Sequence, residues 1–208
     1  MKPLSPLQPG LYYHVFNRGN NGEDLFREER NYSFFLKLYG KYITPVTDTY
    51  AYCLLRNHFH VLLRIKREDE VLSIQNSKDK KDIFLTNKDH YNPSKSFSNM
   101  FNAYSIAINK SYNRTGSLFE KPFSRIPVTK DAYLLELIFY IHYNPQKHGF
   151  IDNFRDWRWS SYQGLMWDYE TRLKQDEVIE LFGSKSAFEE FHRGMAEGRK
   201  ILMGIDDD

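Results

Sequence analysis

His58 and His60 stand one residue apart in the segment Asn57-His58-Phe59-His60-Val61-Leu62-Leu63-Arg64-Ile65. Read as a β-strand, the segment sends alternate side chains to opposite faces. Phe59, Val61, Leu63 and Ile65 then form an apolar face, and His58, His60, Leu62 and Arg64 form the other. The apolar face anchors the strand in a core and holds the imidazoles rigidly. Two imidazoles so held can share one metal ion or one phosphate. The plainer reading is a strand with two partly exposed histidines and no ligand, and a metal reading needs a third ligand from elsewhere.

A second candidate lies in the predicted helix Asp131 to Asn144, which Pro145 stops. Leu134, Ile138 and Ile141 make one apolar stripe, and Tyr133, Leu137, Tyr140 and Asn144 make another at spacings of 3 and 4. Tyr140 and Asn144 are therefore neighbours one turn apart. Taken singly, Tyr140 reads as a core aromatic and Asn144 as a C-terminal helix residue. Should this helix cross the sheet near His58 and His60, the Asn144 amide oxygen supplies the third ligand. Such a metal keeps positions open for phosphate oxygens and water, and it polarises a scissile phosphate. The Tyr140 hydroxyl is then placed to attack phosphorus as a covalent nucleophile.

The remaining elements must position these groups. Leu11 to Phe16 reads as a strand containing His14, closed by the turn cluster 17–22. His14 reads as a half-buried histidine packed on the sheet. Glu28 to Tyr42 reads as a helix ended by Pro45, and Thr49 to Leu54 as a strand antiparallel to the histidine strand. Residues 66–95 form a polar insertion. Phe97 to Tyr112 reads as a helix, and 118–128 as irregular chain or a broken strand. The aromatic element Asp156 to Tyr162 is expected to pack back on the sheet, and Asp176 to Phe182 and Ser186 to Met195 read as short helices. Between Lys110 and Lys130, five bases stand against the single acid Glu120, with Phe119 and Phe123 among them. Cations interleaved with rings suit single-stranded nucleic acid, though a solvated loop packed by its phenylalanines has the same composition.

Five motifs in order resemble the single-tyrosine HUH transposases, in particular the REP-associated tyrosine transposases and their insertion-sequence relatives. Tyr12-Tyr13-His14-Val15 with Asn17-Arg18-Gly19 is similar to that family's first strand and turn, and Asn57 to Leu63 to its histidine-hydrophobe-histidine strand. Gly116-Ser117-Leu118-Phe119 with Phe123 is similar to the connection before the catalytic helix. Tyr140 to Pro145, with Lys147, His148 and Gly149, is similar to the tyrosine helix and its exit. Trp157, Trp159, Ser160, Ser161 and Tyr162 match the closing aromatic element. The resemblance covers about residues 11–165.

It implies an α+β fold, a ferredoxin-like antiparallel sheet of about four to five strands with helices packed on it; the short helical C-terminal extension comes from the residue pattern and has no counterpart in that family. It implies Mg²⁺ or Mn²⁺ bound by His58, His60 and Asn144, with Tyr140 the nucleophile. It implies cutting and rejoining of single-stranded DNA near hairpins through a 5′-phosphotyrosine intermediate. Arg18, Arg114, Phe119, Lys121, Arg125 and Lys147 are the expected DNA contacts. Tyr143 is a second tyrosine on the same helix, but the residue four positions later is Lys147, a poor ligand. Two other readings stand beside this one: a domesticated hairpin-binding protein of the same fold without transposition activity, and a metal-dependent nuclease using water in place of tyrosine.

Size and composition set the frame. A chain of 208 residues suits residues 1–165 as a catalytic domain carrying the 66–95 insertion, with 166–208 as the helical extension. The net charge of +2 gives no global basic signature, so a DNA partner must be met by a local patch. The single cysteine, Cys53, excludes a disulfide framework, and no run is long and apolar enough for a membrane span. The expectation is a soluble cytoplasmic protein, without a membrane partner, acting as a monomer or homodimer.

Overall fold

The computed structural model describes residues 6–71, 91–167 and 171–203. The first six elements are β1 (Tyr12–Arg18), α1 (Glu29–Tyr42), β2 (Thr47–Leu55), β3 (His58–Ile65), α2 (Pro93–Ser111) and β4 (Ser124–Val128). The strands form one antiparallel sheet in the order β2-β3-β1-β4. This is the ferredoxin-like βαββαβ arrangement, with four strands. Four helices follow: α3 (Asp131–Lys147), α4 (Tyr162–Met166), α5 (Gln175–Phe182) and α6 (Lys185–Met203).

Strand alternation gives the sheet two unlike faces. Tyr13, Val15, Phe59, Val61, Leu63 and Ile65 point to the side covered by α1 and α2, where Phe35, Phe97, Phe101 and Tyr104 complete a core. Leu62, Ala51, Cys53 and Leu55 point to the other side, where Leu137, Ile138, Phe139 and Ile141 of α3 close a second core. Val178 of α5 and Phe188 of α6 belong to that second core. His58 and His60 project to the second side, as the alternation requires. Farther along the same face, Arg64 is held by ion pairs to Asp48 and Glu70.

Several boundaries differ from the sequence reading for identifiable reasons. Helix α2 begins at Pro93, inside the stretch read as insertion, because the Asn92 side chain caps it by accepting from the Lys95 N–H at 3.0 Å and Pro93 suits a first helical position. The core of that insertion, 72–90, lies outside the described residues. Helix α3 does not stop at Pro145 but runs to Lys147. Proline removes only the donor that would have reached the Ile141 carbonyl, and the pattern resumes with His148 N–H to the Asn144 carbonyl at 3.0 Å. The stretch read as irregular or a broken strand contains β4. Its Pro127 is tolerated because β4 is an edge strand.

The aromatic element covers the opposite edge. Trp159 O accepts from Leu54 N–H at 2.9 Å, Ser161 N–H reaches Tyr52 O at 2.9 Å, and Trp157 Nε1–H reaches Leu54 O at 3.0 Å. These bonds occupy the β2 edge and remove a template for intermolecular pairing. Among the described residues no helix is long and apolar enough to cross a membrane.

A buried polar chain ties α6 to the sheet. His192 Nδ1 lies 2.8 Å from the Phe188 carbonyl, so it must carry the proton and donate. Burial holds both His192 and His142 neutral. His192 Nε2 then accepts from His142 Nδ1–H at 2.9 Å. His142 Nε2 in turn accepts from the Ser161 hydroxyl at 2.8 Å, and Ser161 Oγ accepts from Tyr52 N–H at 2.9 Å. Every proton in the neutral chain has one direction, and protonating His192 sets its Nε2–H against the His142 Nδ1–H.

Burial lowers the His192 pKa from 6.5 to about 4. Above pH 6.5 neither folded nor unfolded His192 binds a proton, and its contribution is fully present. Between 6.5 and 4 the unfolded chain takes the proton and the folded chain does not, so stability falls with pH. His192 alone accounts for about 2 kcal/mol between pH 7.5 and pH 5. The urea midpoint is therefore expected to drop over that interval; an unchanged midpoint contradicts the neutral buried histidine.

Candidate functional site

Helix α3 lies across the second face of the sheet with Tyr140, Asn144 and His148 one turn apart on one stripe. The Tyr140 ring is 5.6 Å from the His60 ring, and the His148 ring is 5.2 Å from the His58 ring. Asn144 lies midway between them along the stripe. The two imidazoles of β3 are themselves 5.2 Å apart. A cleft of about 420 Å³ opens here, lined by His58, His60, Tyr140, His148, Arg18 and Glu120 among others.

Each imidazole is held by a neighbour. His58 Nδ1 meets the Asn57 carboxamide oxygen at 2.7 Å, which leaves Nε2 as the lone-pair nitrogen. His60 Nδ1 meets His14 Nε2 at 2.9 Å, in a pair buried from solvent. When His60 Nδ1 carries the shared proton, His60 Nε2 also presents a lone pair. Burial lowers the His14 pKa to about 4. It lowers that of His58 to about 4 as well, with His148 and Arg18 adding to the effect. His60 lies well below its ordinary value, from burial and then from His14, His58, His148 and Lys147. Neutral imidazoles are the form that binds metal.

Asn144 is fully buried. Its Nδ2 donates to the Tyr140 carbonyl at 2.7 Å, which fixes the orientation of the amide, and its Oδ1 has no hydrogen-bond partner among the described residues. A buried unpartnered carbonyl oxygen is costly in a finished fold. Here it lies on the turn between the two residues that touch the histidine pair. Among the described residues, no three His, Cys, Asp or Glu side chains form a metal-binding group. A third protein oxygen for the pair is what the orphaned Asn144 Oδ1 offers, and two imidazoles with one carboxamide suit a divalent cation that keeps open positions. Tyr140 lines the cleft, and its hydroxyl makes no hydrogen bond among the described residues. Tyr143 is buried in the second core, its ring stacked 5.2 Å from Phe139, and faces away from the cleft.

Arg18 lines the cleft beside Glu120, at 3.4 Å in an exposed pair. The Lys147 ammonium sits 5.2 Å from the Tyr140 ring centroid. Lys121 and Arg125 line an adjoining groove. Arg114 is held in the fold by Glu23 at 2.5 Å and by Asn109. The Phe119 ring, only 3% exposed, packs against Phe101 and Tyr104, so it belongs to the core rather than to a stacking surface. His14, Asn57 and His148 escaped the sequence reading as members of the site. Asn57 adjoins His58, and His148 stands one turn beyond Asn144; those spacings were their only signals.

No family model matches the chain. Over 115 residues it is 27% identical to a curated Haemophilus influenzae protein named REP-associated tyrosine transposase, a match covering 55% of this chain and 58% of that protein. The chain thus spans under two thirds of the curated relative it matches. A solved structure of a REP-associated tyrosine transposase bound to a REP hairpin superposes with a TM-score of 0.55 at 15% identity, covering 79% of this chain and 83% of the other. That likeness shows the shared fold. Both carry the description of the family that the five motifs resemble.

The orphaned oxygen generates a prediction. Asn144→Leu removes an unpartnered buried carbonyl and leaves an apolar side chain of similar size, so the metal-free protein should lose less than about 1 kcal/mol. Thermal melting in chelator checks this. A loss of about 3 kcal/mol or more, the scale of breaking a satisfied buried network, means that Oδ1 already has a structural partner.

Proposed function

We propose that the chain is a divalent-metal-dependent enzyme that cuts and rejoins single-stranded DNA at hairpins, with Tyr140 as covalent nucleophile. The observation that carries the reading is Tyr140 and His148 facing His60 and His58, with Asn144 between them on the same stripe and its Oδ1 without a partner among the described residues. The names of the similar proteins support the substrate class.

His58 Nε2, His60 Nε2 and Asn144 Oδ1 would hold Mg²⁺ or Mn²⁺. When bound, the cation supplies Lewis-acid polarisation of the scissile phosphate. The chain's own groups do the rest. Asn57 and His14 fix the rotation and tautomer of the two imidazoles, as outer partners of ligating histidines commonly do. The Tyr140 oxygen attacks phosphorus and loses its phenolic proton. The bond from phosphorus to the 3′-oxygen breaks, and that oxygen gains a proton. The products are a 5′-phosphotyrosine and a free 3′-hydroxyl. One phosphodiester is exchanged for another, so the reverse attack rejoins DNA without an energy-rich cofactor. Arg18 and Lys147 are the cations beside the cleft that face the phosphate.

Incubation with Mn²⁺ and labelled hairpin DNA should give an adduct that survives a denaturing gel. Tyr140→Phe should abolish both adduct and cleavage. Cleavage that persists in Tyr140→Phe makes the protein a nuclease using water, and hairpin binding without any cleavage makes it a binding protein of the same fold. A second prediction isolates the imidazole support. His14→Phe keeps a ring of similar size but removes the bond to His60, so Mn²⁺ affinity by titration calorimetry should fall by about ten- to a hundredfold. Unchanged affinity reduces His14 to packing.

A further inference from the structure

The first face of the sheet holds a cavity that the proposed reaction does not use. It lies between α1 and β2 and has a volume of about 280 Å³. Phe35, Leu36 and Tyr39 of α1 form one wall, and Tyr52 and Leu54 of β2 with Val61 of β3 form another. Residues 171–173, on the way from α4 to α5, close it at the sheet edge. Backbone contacts fix that closure: Leu173 bridges Thr49 in parallel register, and the Lys174 N–H reaches the Thr49 carbonyl at 2.9 Å. The lining shares no residue with the cleft of His58, His60 and Tyr140.

Gly40 lies inside α1, where glycine is less favourable than alanine. Arg172 accounts for it. A β-carbon at position 40 would overlap Arg172 Nη1 and come within 3.3 Å of its Cζ. The guanidinium is therefore seated against the helix backbone, at a cavity that both residues line. Among the described residues Arg172 makes no ion pair, and no acid lines the cavity. Deeper in, the Tyr39 and Thr49 hydroxyls lie 2.8 Å apart. Burial raises the Tyr39 pKa to about 12, so the phenol stays neutral. The guanidinium is then the one charge among the described lining residues.

These groups select by chemistry. Rings and branched aliphatics favour a flat apolar body. A single guanidinium takes one carboxylate through paired N–H donors. A doubly charged phosphate has no second cation to meet among the lining residues. A cationic ligand would set its charge beside Arg172 with no acid to receive it.

We propose that this cavity is a binding site for a small aromatic monocarboxylate, with its rings between α1 and β2 and its carboxylate on Arg172. The site is separate from the DNA-cleaving reading and stands without it. A ligand here contacts α1, β2 and the segment leading into α5 together, so it binds only the folded chain and stabilises it by mass action.

Calorimetric titration of the full chain tests the proposal. The probes are benzoate, 3-phenylpropionate and 2-naphthoate, each beside its neutral carboxamide. At least one acid should bind with a stoichiometry of one, about tenfold more tightly than its amide. Arg172→Gln should weaken that acid by about tenfold and leave the amide unchanged. Gly40→Ala should do the same, because the added methyl displaces the guanidinium while favouring the helix. Leu36→Trp fills the cavity and should abolish binding of acid and amide alike. Thr44→Phe fills it from another side and serves should Leu36→Trp fail to fold. Arg193→Gln, on an exposed part of α6, removes an arginine elsewhere and should change nothing. The proposal is overturned when none of the three acids binds, when acid and amide bind equally, or when binding survives both filling variants.

Discussion

The alternation of side chains along β3 is the constraint on which the rest of the structure depends. Phe59, Val61, Leu63 and Ile65 are locked between the sheet and α1 and α2. Their burial fixes the strand's rotation, because a slip of one residue would bring His58, His60 and Arg64 into the apolar core. The histidines are therefore positioned by hydrophobic free energy stored on the side of the sheet they do not touch. Leu62, on the histidine face, does the complementary job: it belongs to the second core and draws α3 down onto the sheet. The helix that brings Tyr140 and Asn144 is held by the same strand that presents the imidazoles.

This explains which parts were legible in the sequence. The histidine pair, its two faces and the Tyr140–Asn144 turn all follow from periods of two and of three to four within one element. His14 could not be found that way. It reaches His60 from β1, 46 residues earlier, diagonally across a register in which Phe16 is opposite His60. No local period encodes which residues of separate strands become neighbours. Helix ends were legible only in part, since the cap at Asn92 and the tolerance of Pro145 depend on single hydrogen bonds rather than on hydrophobic pattern. The phenylalanines near the basic cluster show the same limit. Composition could not separate a stacking ring from a core ring, and the packing around Phe119 does.

The C-terminal helices had no counterpart in the motifs, and their attachment shows why. His142 sits two residues after Tyr140 and faces the opposite way, into α6. Helix α3 thus has one stripe committed to the cleft and another committed to His192, Phe188 and Ser161. The directed proton chain from Tyr52 to Phe188 gives the second stripe a single hydrogen-bonded arrangement, and a fully satisfied buried network specifies one packing. Fixing that stripe fixes the rotation of the first. The C-terminal helices therefore set the rotation of the helix that carries Tyr140, and Arg199 of α6 also lines a cavity it shares with His60 and Tyr140.

An unpartnered polar group carries most weight where it is buried. Asn144 Oδ1 is buried, and its lack of a partner is a free-energy cost that a ligand can relieve. A buried orphan points to a ligand held tightly at one atom.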